Sequence, residues 1–293
     1  MKKITLLVLL GLFTTQLNAQ LLTLKTVEQI KGGKIAVALS EDDEEFNRVW
    51  KATIEKRWDF TPITEFLSEN EAFDKLKNNE VNYVLIFNPR KVSFSLSETR
   101  GDYKYRYYNE GMGIEIRSAK NRIVAVQYVP PFGDDNVFAE SFLAFGIDAL
   151  QSVFNTMIEN NMKNNMRLYD AFNKKGASLK ELELVLAEPW LHKKMTKELA
   201  REIYEGDLAF ISFSHWNELI IDQISGKAYI AVVPVPTGKS YIYLHYIINA
   251  ETGEVIGMGQ PKSSFGVYSY SKGNSGYINE KNLEIYNDVL NSK

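Results

Sequence analysis

The stretch Lys34–Trp58, KIAVALSEDDEEFNRVWKATIEKRW, decides the fold class. Its first six residues, Lys34 to Leu39, form an apolar run bounded by polar residues, the pattern of a buried strand. Glu41 to Glu45 follow and suit a helix N-terminus, where the helix dipole favours negative charge. Phe46, Trp50, Ile54 and Trp58 then recur every fourth position with Val49 beside them, one apolar helical stripe. A buried strand leading into an amphipathic helix is the opening unit of an α/β fold.

Working outward, the same alternation continues. Phe60 to Phe66 reads as a second strand. Ser68 and Glu71 have the spacing of a capping box, with Phe73 and Leu76 on the inner face of the helix it starts. Val81 to Phe87 reads as a third strand, ended by Asn88-Pro89. Antiparallel segments follow within Val92–Leu96, Tyr103–Arg117 and Ile123–Val129, the last two joined by a turn at 119–122.

A comparable order returns later in the chain. Leu182–Ala187 reads as a strand, and Glu188-Pro189 as the opening of a helix with the stripe Leu191, Met195, Leu199 and Ile203. Those four positions stand 145 residues after the first stripe. Strand Leu208–Phe213, helix His215–Ile224 and strand Ala228–Val233 follow. Tyr241–Asn249 and Glu254–Gly259 flank a turn in which Gly253 supplies positive φ. A helix over Asn279–Leu290 closes the chain.

The expected architecture is therefore α/β with an α+β tendency: two similar halves, each a small mixed sheet with helices. The halves span 20–136 and 177–293. A long helical pattern over 137–176 joins them, preceded by cap candidates Asp134, Asp135 and Asn136. Asn160, Asn161, Asn164 and Asn165 predict a break within it, and Gly176 a C-terminal stop. Lys262–Gly276 is rich in Ser, Tyr and Gly and reads as a strand or a loop.

The first nineteen residues have a different character. Lys2-Lys3, the apolar run Ile4–Phe13 and small Ala19 follow the order of a secretory signal peptide cut after Ala19. A nearly unbroken apolar run of ten residues is too short for a permanent span, and no cysteine is present for lipidation or a disulfide. The expectation is a periplasmic or secreted soluble protein stabilised by packing alone. Loss of Lys2 and Lys3 would take the formal net charge from −3 to −5. That acidic balance, with no basic run, argues against nucleic acid or an anionic membrane as partner.

Chemistry-bearing motifs are sparse. The three histidines, His192, His215 and His245, form no metal-ligand spacing, so neither a metal nor a cofactor is expected. Thr237-Gly-Lys-Ser240 imitates the end of a phosphate loop, but Val233 stands where its first glycine belongs and a strand follows. Ser269-Tyr-Ser-Lys272 matches S-x-x-K without companion motifs. The remaining cluster is aromatic. Tyr103, Tyr105 and Tyr107 alternate in one segment, Tyr241 and Tyr243 in its counterpart, and alternate strand residues share a face. Tyrosine joins apolar area to a hydroxyl and suits a sugar or a peptide; a half-buried sheet face, where tyrosine is a favoured strand residue, is the simpler explanation.

The leading functional expectation is an exported, non-catalytic protein of the envelope or exterior that binds a protein or glycan through those tyrosines. The rivals are a secreted hydrolase with a carboxylate or dispersed Ser/His/Asp site between the halves, and a purely structural scaffold.

Overall fold

The computed structural model describes residues 22–89, 95–100, 103–108, 112–130, 139–237, 240–259 and 276–292, with backbone alone at 89, 95–100, 103–108, 236–237 and 240–242. The first half comprises α1 (Leu24–Lys31), β1 (Ile35–Leu39), α2 (Glu44–Arg57), β2 (Ile63–Ser68), α3 (Glu69–Lys77) and β3 (Tyr83–Pro89). It continues with β4 (Ser95–Arg100), β5 (Tyr103–Tyr108), β6 (Met112–Ser118) and β7 (Arg122–Val129). Helices α4 (Ala139–Glu159) and α5 (Leu168–Asn173) lead to the second half. That half comprises β8 (Glu183–Ala187), α6 (Lys197–Ile203), β9 (Leu208–Ile211), α7 (Phe213–Ile221), β10 (Lys227–Thr237), β11 (Ser240–Asn249), β12 (Val255–Gly259) and α8 (Glu280–Leu290).

The fold is mixed α/β, with two five-stranded sheets built to one plan. The first runs β2-β1-β3-β6-β7 and the second β9-β8-β10-β11-β12. In each, the first three strands are parallel and the last two antiparallel. The match of order and direction makes two similar halves plausible. Tyr83 and Tyr229, 146 residues apart, both lie on the third strand and face the first, opposite Ile35 and Val185.

Sequence rules explain the local structure. Asp43 caps α2, accepting from the Phe46 N–H at 2.9 Å, and Phe46, Trp50 and Ile54 turn inward. Ser68 and Glu71 form the reciprocal capping box of α3. Strand β1 is buried on both faces, as its unbroken apolar run requires. Ile35 and Val37 join the main core, whereas Ala36 and Ala38 join a small cluster with Ala72 and Leu76 of α3.

Helix α4 lies between the halves. It packs on α2, β6 and β7 of the first and on α7 and β12 of the second. Most of its residues are buried, as expected for a helix apolar nearly all round. It sits so close to the first sheet that a Cβ on Gly146 would fall 2.6 Å from Ile114 and Val129. Phe154 packs tilted against Phe60, ring centres 4.8 Å apart, and Phe142 meets Trp216 edge-on. One continuous apolar core results, reaching from Leu22 to Leu290.

The break expected at the asparagine cluster is present: α4 ends at Glu159, and Asn164 caps a 3-10 turn before α5. Two expectations need correction. Gly176 does not end a helix but opens a second 3-10 turn, Gly176–Glu181. The stripe Leu191, Met195, Leu199, Ile203 is not one helix. Glu188–Trp190 is a 3-10 turn, Leu191 forms a bridge with Ile278, and Thr196 caps a new helix that holds only the last two stripe residues. The signal segment, Asp134–Asn136 and 262–275 lie outside the described residues.

Candidate functional site

The tyrosines of interest lie on two related ribbons. Between β3 and β6 the chain forms the separate two-stranded sheet β4–β5, in which Tyr103, Tyr105 and Tyr107 stand opposite Arg100, Glu98 and Leu96. Their i, i+2 spacing places all three on one face of β5. In the second half, β10 and β11 pair on to Thr237 and Ser240, past the point where β8 and β12 accompany them. Tyr241 and Tyr243 occupy that extension, opposite Pro236 and Pro234. Tyr243 is half-buried and packs against the main core, so it is in part a structural residue.

The two prolines follow a register rule. The Lys227 carbonyl bonds to Ala250 on the β11 side. Strand alternation therefore points the backbone groups of even-numbered residues, Pro234 and Pro236 among them, the other way. Proline lacks an N–H, so this margin is short of donors where no neighbour pairs with it.

A second feature went unread in the sequence. Beside β2, the outermost strand of its sheet, runs a groove of about 390 Å³. Ile54, Glu55, Trp58 and Asp59 line one wall, and the chain from Thr61 to Phe66 the other. The Trp58 indole donates to the Thr61 carbonyl at 2.6 Å and ties the two walls together. Lys51 stands 5.2 Å from the centre of the Phe66 ring. Glu65 is held by Lys75 at 2.6 Å, on the α3 side.

Where the halves meet, a polar cluster is buried. Arg57 ends α2 and reaches Asp148 of α4 at 3.0 Å, with both side chains under one-tenth exposed. Its guanidinium also donates to the Ile220 carbonyl, and Lys56 donates to the Ile221 carbonyl at 2.9 Å. The last carbonyls of α7 thus receive cations from the other half, a favourable dipole arrangement. Gln151 completes the junction, accepting from the N–H groups of Asp59 and Phe60 and donating to the Arg57 carbonyl. Burial raises the Asp148 carboxyl to about 7, against the opposing pull of Arg57.

The histidines have structural settings. His245 is fully buried and hydrogen-bonded to the Tyr286 hydroxyl. His192 Nδ1 accepts from the Lys194 N–H at 3.3 Å. His215 Nδ1 lies 3.1 Å from the Ser212 hydroxyl, which also accepts from the His215 N–H. That serine–histidine pair is the N-cap of α7, three residues apart on the surface, and its geometry is that of a cap. Among the described residues, no group of three or more His, Asp or Glu side chains is placed to hold a metal ion. No helix among them is long and apolar enough to cross a membrane.

No protein-family model, curated protein or solved structure matches the chain.

Proposed function

We propose that the protein is an exported, non-catalytic binding protein of the cell envelope or exterior, which engages a protein or glycan partner through its two tyrosine-bearing ribbons. One observation carries this reading. In each half, the strand pair that turns the sheet from parallel to antiparallel is associated with a two-stranded ribbon bearing tyrosines at alternate positions. A ribbon with one aromatic face offers flat apolar area and hydroxyl groups to a sugar ring or an extended peptide. Export rests on the leader-like order of residues 1–19.

The test is crosslinking in the cells that make the protein, followed by mass spectrometry of what it captures. The captured chain is expected to begin at Gln20. The combined variant Tyr103→Ser, Tyr105→Ser, Tyr241→Ser is expected to lose most of the crosslinked partner at an unchanged melting temperature. Tyr243 is left intact because of its core contacts. Undiminished capture by that variant would refute the assignment to the ribbons.

A further inference from the structure

The four outer strands of the two sheets are not equally available. β7 lies against α4 and β10, and β12 against α4, α5 and α8. β9 has only four residues, and Lys197 and Arg201 lie over its Phe210 at 5.9 and 5.0 Å. β2 is longer, six residues or about 20 Å, with one hydrogen-bonded neighbour and a groove alongside. On such a strand, alternate residues point N–H and C=O groups away from the sheet, a template for an added strand.

The geometry points to the β2 edge as a binding site for an extended peptide that carries arginine or lysine, added as a sixth strand with its cationic side chains against the α2 wall. Charge selects this occupant. Glu55 and Asp59 stand on that wall, and both are exposed. Glu55 is held only loosely by Lys51, at 3.8 Å, and Asp59 has no ion pair among the described residues. The neighbouring Lys56 is turned to the Ile221 carbonyl, while Lys51, over the Phe66 ring and beside Glu55, offsets one of the two carboxylates and leaves Asp59 as the unmatched charge of the wall. A second copy suits the edge poorly, because antiparallel pairing of two β2 strands would bring the same acidic wall from both copies together. Below the acids, Ile54 and Trp58 give the groove an apolar floor, and Ile63 and Phe66 are half-buried beside it. An added strand would therefore gain main-chain hydrogen bonds, apolar cover and a charge pair at once.

The site is separate from the tyrosine ribbons, and its test is independent of them. Two fluorescent heptapeptides, one alternating arginine with valine and one alternating glutamate with valine, are titrated into the purified protein. The arginine peptide is expected to bind, to weaken with added salt, and to slow amide exchange selectively at 63–68. Glu55→Lys combined with Asp59→Lys should weaken that binding by about tenfold or more, and Asp59→Asn alone by about threefold. The tyrosine variant above should bind the arginine peptide normally. Equal binding of both peptides, exchange protection away from β2, or no binding at millimolar peptide would each overturn the proposal.

Discussion

At the scale of the residue, Asp148 is held in opposition. Burial pushes its carboxyl from 3.8 up to about 7, while Arg57 pulls it down and nearby Asp59 pushes it up. The folded chain keeps this proton to about pH 7; the unfolded chain releases it near 3.8. Folding therefore takes up a proton between those values, and stability falls as pH rises from about 4 to about 7, then levels off. Asp148→Asn keeps an acceptor for Arg57 but cannot ionise. Between pH 5 and pH 8 the wild-type melting temperature should drop by on the order of 5 °C more than that of the variant. Parallel curves for the two proteins would mean that Asp148 does not titrate in this window. Gly253 bears on the same group: its φ is +70°, and a Cβ there would lie 2.5 Å from the Asp148 carboxyl carbon. Only glycine lets the β11–β12 turn close over this carboxyl.

At the scale of the element, short-range rules did most of the work. The capping box of α3 is an example: Ser68→Ala removes a side-chain acceptor from the Glu71 N–H and should cost about 1 kcal/mol. Urea unfolding would measure it, and Ser68→Thr should restore most of the loss. Elements were legible where periodicity was complete, as in α2 with Phe46, Trp50 and Ile54, or β10 with its apolar run. Helix α1 was missed because only Val27 and Ile30 are buried on it, too few for a stripe. The second-half helix was over-extended because Leu191 and Met195 fit the period while their backbone is spent elsewhere, Leu191 on Ile278. The groove at β2 and the Arg57–Asp148 pair were illegible for another reason. Each joins side chains that only the tertiary fold brings together, the ion pair across 91 residues of chain. The alternating tyrosines were visible as a pattern, but the core contacts of Tyr243 were not.

At the scale of the molecule, the two halves share their interior. The Gln127 side chain is hydrogen-bonded to Tyr246 across the two halves, and Phe142 on Trp216 and Phe145 on Tyr246 bind the second half to α4, which also packs on the first. Repeated architecture therefore should not give independent stability. Calorimetry is expected to show a single transition whose calorimetric and van't Hoff enthalpies agree. The first half made alone, residues 20–136, would lack α4 and should expose apolar surface and bind hydrophobic dye. Two resolved transitions would show that the halves melt separately.

The cations at the end of α2 have a consequence for how the chain is made. Arg57 and Lys56 find their carbonyl partners at Ile220 and Ile221, more than 160 residues downstream. A ribosome will have delivered every strand of the amino-terminal sheet long before those partners emerge. During that interval both cations lack these acceptors, so final closure of the junction is a late, non-local event.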